Sequence, residues 1–94
     1  MNIDWNEEKN DKLKIDRDIS FDEVAIKILS GQTLINAPHN NSSKYPNQHI
    51  YVVEIENYCY MVPYVKDGAN IFLKTIIPSR KMTKKHLGDK NGKK

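Results

Sequence analysis

The sequence predicts an α+β fold in which N-terminal helices pack on one face of a three- to four-stranded antiparallel sheet. One observation is an amphipathic segment near residues 21–29, where apolar side chains recur at helical spacing. The other is a series of three β-branched and aromatic runs, HIYVVEI, YCYMVPYV and NIFLKTII, separated only by short turn signals. Such close spacing suits an antiparallel meander, because parallel neighbours need a long crossover.

The N-terminal third is predicted to form one short strand and two helices. Ile3 and Trp5 alternate with polar residues, which favours a strand. Asn6 can N-cap the next segment, NEEKNDKLKI, whose first glutamates suit the positive end of a helix dipole. The second helix begins at the capping box SFDE, residues 20–23, and Gly31 is placed as its C′ cap.

The remaining chain is predicted to be mostly strand. QTLIN forms a short strand, APHNNSSKYPNQ a loop, and the three apolar runs a meander that turns at Glu56-Asn57 and Asp67-Gly68. Pro63 lacks a ladder donor, so a bulge or a break in pairing is expected beside it. TKKHL closes the fold as a short helical turn.

Strand alternation divides the side chains of the last two strands into two faces. We assign one set to the core beneath the helices: Cys59, Met61, Val65, Ile71, Leu73 and Ile77. The opposite set is Tyr58, Tyr60, Val62, Tyr64, Phe72, Lys74 and Ile76. An open face of tyrosines and cations suits single-stranded RNA, because rings stack on bases and cations bind phosphates. The alternative is that tyrosine is simply common on half-exposed strands.

Length and charge predict one domain, residues 1–87, followed by a basic and disordered tail, residues 88–94. Residues 80–94 hold seven of the 15 lysines and arginines but one acid, whereas residues 1–23 hold eight acids and four bases. The net charge of +3 therefore conceals a basic C-terminal end, which favours a polyanionic partner. The alternative for the tail is a purely solvated segment.

The composition also predicts a compartment and excludes several kinds of site. The one cysteine, Cys59, lies in an apolar run and reads as a core residue, which fits a reducing cytoplasm. No apolar stretch approaches a membrane span, and MNIDWNEEKN lacks the character of a signal peptide. The histidines show no metal-ligand spacing and no phosphate loop is present, so we expect neither metal nor cofactor. His49 and His86 remain candidate proton carriers, or plain surface histidines.

Three segments of the chain resemble the BrnT-type toxins of bacterial toxin–antitoxin pairs, which belong to the RelE-like ribonucleases. Trp5 and Lys9 match a W-D-x-x-K element, and residues 19–23 match the family segment H-G-[IV]-S-F-[ED]-E-A. The final family element, I-I-S-A-R-x-A-[TN], is matched by Ile76, Ile77, Arg80 and Thr83. Among its departures from the family pattern, Arg17-Asp18 replaces His-Gly, Pro78-Ser79 replaces Ser-Ala, and Thr75 replaces an arginine.

The resemblance implies a RelE-like fold and metal-independent cleavage of mRNA. It also implies a cognate antitoxin, often one with a ribbon-helix-helix domain, and operator DNA bound only through that antitoxin. In such a reaction the RNA 2′-OH is the nucleophile, so the protein orients it, moves its proton and stabilises the anionic transition state.

Candidate residues for each role follow from side-chain chemistry. Arg80 is predicted to clamp the phosphate, because its fork matches two phosphate oxygens. Lys74 or Lys84 adds charge, and His49, Tyr51 or Tyr64 transfers the proton. The predicted RNA contacts are Tyr51, Lys81, Lys84, Lys85 and His86. Two other interpretations stay open: a non-catalytic nucleic-acid-binding module, and an inactive toxin-like protein that only holds an antitoxin.

Overall fold

In the computed structural model, which describes residues 1–38, 41 and 43–88, a sheet lies between two N-terminal helices and one C-terminal helix. The predicted tail lies outside the described residues apart from Gly88, and so does His39. The elements in chain order are β1 (Asn2–Trp5), α1 (Glu7–Arg17), α2 (Phe21–Leu29), β2 (Ile35–Pro38), β3 (Gln48–Ile55), β4 (Tyr58–Asp67), β5 (Asn70–Leu73), β6 (Ile77–Pro78) and α3 (Arg80–Leu87).

The α+β class is confirmed, but the sheet is mixed and has six strands. Its order is β1-β5-β4-β3-β2, and β6 pairs with β4 in continuation of β5. β1 pairs with β5 in parallel, with Ile3 opposite Ile71. The expectation of a three- to four-stranded antiparallel sheet is therefore wrong. Some 64 residues, including both helices, separate β1 from β5, so local turns do not dictate the direction of this pair.

Local capping signals place both N-terminal helices as expected. The Asn6 side chain accepts a hydrogen bond from Lys9 N at 3.0 Å, and Ser20 Oγ accepts from Glu23 N at 3.2 Å. Gly31, with φ +75°, ends α2: its N–H donates to Ile28 O, and Gln32 N donates to Lys27 O. This pair of bonds is a Schellman motif, which needs the left-handed backbone that glycine adopts without a Cβ penalty.

The main core lies between α1, α2 and the sheet. Phe21, at 0% exposure, lies at its centre and stacks on Trp5 with 5.9 Å between the ring centroids. Asn10 is also fully buried: its Oδ1 accepts from Phe21 N at 2.7 Å, and its Nδ2 donates to Asp22 at 2.7 Å. The amide therefore joins the two helices with its hydrogen bonds satisfied, a role that the sequence pattern did not indicate.

The predicted faces of β4 are reversed. Val62 and Tyr64 belong to the helix-side core and Tyr60 packs against it, whereas Met61 is only half-buried. Cys59 is buried as expected, but it alternates with these core residues and points to the face that carries α3. Alternation separates the two sets of side chains, but it does not say which set faces the helices when both are apolar.

A one-residue bulge separates β5 from β6. Leu73 lies opposite Tyr64 and Ile77 opposite Met61, so four steps on one strand match three on the other. The extra residue reverses the side-chain alternation, which buries Ile76 at 3% exposure and leaves Ile77 at 44%. The predicted faces of these two isoleucines are therefore wrong, while the irregularity expected at Pro63 is confirmed. Pro63 O accepts from Lys74 N at 2.8 Å at this point.

Candidate functional site

The four cations of α3 form one surface, which we call the cationic ridge: Arg80, Lys81, Lys84 and Lys85. All four side chains are exposed. At 3.6 residues per turn they span an arc of about 140°. The opposite side of the helix carries the half-buried residues Met82, Thr83, His86 and Leu87. The predicted helical turn is thus a complete eight-residue amphipathic helix.

The start of α3 is held by a set of hydrogen bonds to β4. Ser79 N donates to Cys59 O at 3.0 Å, and Thr83 Oγ1 accepts from Cys59 N at 2.9 Å. The Thr83 hydroxyl donates to Ser79 O at 2.8 Å, while Ser79 Oγ caps the helix by accepting from Met82 N at 3.1 Å. Since both backbone groups of Cys59 are paired with this segment, the backbone at Arg80 has a defined position.

An apolar groove of about 400 Å³ lies beside α3 on the face of the sheet away from α1 and α2. Its floor comes from three strands and its wall from α3. The lining residues are Ile35, Ala37, Pro38, Ile50, Val52, Met61, Ser79, Lys81 and Met82. This groove was not predicted from the sequence, because Met61 was expected in the core beneath the helices.

His49, Tyr64 and Tyr51 form a stacked row on the helix side of the sheet. The ring centroids of Tyr51 and Tyr64 lie 4.4 Å apart, and those of His49 and Tyr64 5.4 Å apart. The hydroxyl of Tyr64 donates to Asn36 Oδ1 at 2.6 Å. Burial, together with the adjacent Tyr51, raises the pKa of Tyr64 well above its usual range. Tyr64 is therefore a protonated core residue at neutral pH.

The residues predicted to act together lie on different faces of the sheet. Tyr51 and Tyr64 are buried at 6% and 3% exposure, so the prediction that Tyr64 lies on an open face is wrong, and neither ring is presented to solvent. His49 is half-buried beside them, opposite to the face that carries α3. The two aromatic residues belong to the core because the face of β4 that we expected to be open is the one that α1 and α2 cover.

The other predicted residues lie on or near the α3 side. Lys74 is exposed at the bulge, where the ammonium of Lys9 donates to Lys74 O at 3.0 Å. His86 is half-buried on the sheet-facing side of α3, and its Nε2 has no hydrogen-bond partner among the described residues. Of the predicted site, only the cationic ridge, with Lys74 exposed on a neighbouring segment, presents its charges to solvent.

The described part of the chain has neither a clustered set of metal-binding side chains nor a helix suited to a membrane. Residues 1–38, 41 and 43–88 contain no group of three histidine, cysteine, aspartate or glutamate side chains arranged to hold a metal ion. Within the same residues, no helix has the length and apolar character required to cross a membrane.

No protein-family model matches the chain, and comparisons with curated proteins and with solved structures find no significant match.

Proposed function

We propose that this chain is the toxin of a toxin–antitoxin pair and that it cleaves mRNA without a metal ion, through attack of the RNA 2′-OH. The observation that carries the proposal is the position of Arg80. Arg80 is the first residue of α3, its side chain is exposed, and the preceding Ser79 is hydrogen-bonded to β4. An arginine on a fixed backbone suits contact with a phosphate whose charge grows in the transition state.

The order of the elements supports the same proposal. A strand, two helices, a run of antiparallel strands and a closing helix follow one another, which is compatible with the RelE-like arrangement that the motif resemblance implies. The residues of the matching motifs have structural roles. Trp5 packs against the core, residues 19–23 cap the start of α2, and Thr83 anchors α3 on β4. The RelE-like arrangement is part of the proposal.

The proposed chemistry relies on position and charge. In the proposed step the 2′-oxygen bonds to phosphorus and loses its proton to water, while the P–O5′ bond breaks and the 5′-oxygen takes a proton from water, which leaves a 2′,3′-cyclic phosphate and a free 5′-OH. Arg80 would hold two oxygens of the scissile phosphate, and the N-terminus of α3 adds its dipole to that attraction. Lys84 follows Arg80 on the same side of the helix, four residues on, and suits a neighbouring phosphate. His86 shares α3 with Arg80 but faces the sheet. Most of the rate enhancement would then come from orientation and electrostatic stabilisation.

The proposed biological setting follows from the same resemblance. The enzyme would act in the cytoplasm on mRNA and would be inhibited by a cognate antitoxin, often one with a ribbon-helix-helix domain. Operator DNA would be bound only through that antitoxin. Induced expression of the chain alone should arrest growth with loss of mRNA, and co-expression of the partner should restore growth.

Single-turnover cleavage of a mixed-sequence RNA in the presence of a chelator tests the role of Arg80. Arg80→Ala should lower the rate at least tenfold, equivalent to about 1.4 kcal/mol of barrier. Arg80→Lys should not restore it, because an ammonium cannot make the bidentate contact. Lys66→Ala, which removes a cation exposed on β4, is the control and should cleave at the wild-type rate. Equal rates for Arg80→Ala and wild type would remove Arg80 from the mechanism.

A second candidate function is a non-catalytic RNA-binding module. The burial of Tyr51 and Tyr64 favours it, because neither of these predicted proton carriers is accessible beside Arg80. In that case the wild-type chain binds RNA but cuts none, with or without ribosomes. An inactive toxin-like protein that only holds an antitoxin would neither bind nor cut RNA.

A further inference from the structure

The α3 side of the sheet is only half covered. α3 is anchored on β4 through Cys59, while the groove extends from Met61 of β4 across Val52 of β3 to Ile35 of β2. Val52 is buried and Pro38 is exposed, and the other apolar side chains of the groove are half-buried. These side chains line one concave, mostly apolar strip that is open to solvent.

The open part of this face has the width of one helix. Neighbouring strands are about 4.8 Å apart, so β2 lies roughly 10 Å from β4. Packed helices lie about 8–10 Å apart, so a second helix laid over β2 and β3 would contact Met82 on the flank of α3. The aliphatic and methionine lining suits an apolar helix face, because such side chains adapt to varied shapes, whereas bases are commonly held by aromatic rings.

The flank of α3 that borders this space is positively charged. Lys81 lines the groove, and Lys85 follows it one turn later on the same side of the helix. α3 contains no acidic residue, and among the described residues the only ion pair joins Lys14 to Asp22. A helix seated in the groove would therefore find uncompensated positive charge along one side.

We propose that the groove, with Lys81 and Lys85 along its rim, is a docking surface for an amphipathic helix of a partner protein. The helix would place apolar side chains against Ile50, Met61 and Met82, and would carry glutamates or aspartates on the flank that faces α3. Such a helix-in-groove contact combines apolar anchors at i, i+3 or i+4, and i+7 with charge pairing along the rim. The docking surface does not depend on RNA cleavage.

The probe is a display library of helix-forming peptides about 15 residues long, in which every second residue is randomised. The target is the full chain. The peptides enriched should be acidic and should show apolar residues at helical spacing. Lys81→Glu/Lys85→Glu should weaken the most enriched peptide at least tenfold. Arg80→Glu/Lys84→Glu, the matched control with the same charge change on the other flank of α3, should weaken it less than threefold.

Ala37→Glu tests the floor of the groove. It places a carboxylate in the half-buried space on the edge strand β2 and should weaken the peptide at least tenfold, with an unchanged melting temperature as the check on folding. The proposal is overturned if no peptide is enriched, if Ala37→Glu has no effect, or if both lysine and arginine pairs matter equally. It is also overturned if a 12-residue oligouridylate, rather than any peptide, loses affinity on Ala37→Glu.

This experiment is independent of the cleavage assay. If the chain cuts no RNA but binds acidic helices through the groove, the docking surface is supported and the ribonuclease proposal is rejected. If cleavage depends on Arg80 but no such peptide binds, the ribonuclease proposal is kept and the docking surface is rejected.

Discussion

In this core, buried polar side chains with satisfied hydrogen bonds restrict how neighbouring helices and strands can pack. Tyr64 is 3% exposed, yet its hydroxyl has a partner in Asn36 on β2. Asn10 has a comparable role between α1 and α2, where it accepts the Phe21 N–H that begins the second helix. Such groups would cost about 1–3 kcal/mol if left unpaired, so they restrict how the elements can be arranged.

The raised pKa of Tyr64 predicts how the free energy of unfolding changes at alkaline pH. Burial raises the pKa of Tyr64 in the folded state above the value near 10 of an unfolded tyrosine. The folded state then keeps a proton that the unfolded chain releases, so this stabilisation is complete below about pH 10 and is lost as pH rises towards the folded pKa.

The measurement is the free energy of unfolding in urea from pH 8 to pH 11. Between pH 10 and 11 it should fall more steeply for wild type than for Tyr64→Phe, by up to about 1.4 kcal/mol per pH unit. Burial also raises the pKa of the Cys59 thiol and of Tyr60, but these groups are common to both proteins. Parallel curves above pH 10 would show that Tyr64 is not the titrating group.

At the scale of elements, the bulge between β5 and β6 decides which side chains reach the core. Without it, alternation from Leu73 would bury Ile77 and expose Ile76. The extra residue reverses that outcome opposite Pro63, and the Lys9 ammonium donates to the carbonyl of Lys74 where regular pairing ends. The same bulge directs the chain into β6 and α3, and so places Arg80.

A pair of adjacent substitutions tests the bulge. Ile76→Ala should lower the free energy of unfolding by about 2–5 kcal/mol, because it leaves a cavity in the core. Ile77→Ala, the matched control one residue away, removes a side chain that is 44% exposed and should cost less than about 1 kcal/mol. Urea denaturation of both variants measures the difference. A larger loss at Ile77 would mean that the strand runs without a bulge.

For the whole molecule, the parallel pairing of β1 with β5 joins the N-terminal strand to a strand in the last third of the domain. Asn2 lies opposite Asn70, so the contact closes a long loop, whereas β3 and β4 are joined by the two residues Glu56 and Asn57. Closing a long loop costs more chain entropy than closing a short one, so we expect β1 to dock late in folding.

Trp5→Ala tests this order, because the indole joins β1 to the core through Phe21. It should destabilise the fold by about 2–4 kcal/mol and act mainly by accelerating unfolding, since its contacts form after the transition state. Val53→Ala, in the local β3–β4 pair, should instead slow folding. Stopped-flow urea chevrons separate the two effects. A slower folding rate with unchanged unfolding for Trp5→Ala would place β1 in the nucleus.

Features that depend on a few neighbouring residues could be predicted from the sequence. Asn6 and the box at residues 20–23 cap their helices, Gly31 ends α2, and Glu56-Asn57 adopts the positive φ values of a tight hairpin turn. The cationic ridge was predicted only in part, because the sequence analysis expected helix only at TKKHL, whereas α3 begins at Arg80 and so places all four cations on one side of a helix. In each case the controlling residues lie within six positions of one another in the chain.

Only the tertiary structure decided how these pieces face one another. Both sets of side chains on β4 are largely apolar, so the choice of Val62 and Tyr64 for the helix-side core depended on where α1, α2 and α3 pack. The parallel direction of β1 likewise depends on partners far away in the chain, and so does the burial of Ile76 in place of Ile77. Local pattern determines which residues can be buried, but long-range packing decides which of two apolar faces is buried. For this reason Tyr51 and Tyr64 lie in the core and not in the predicted site, whereas the cations of α3 are exposed as expected.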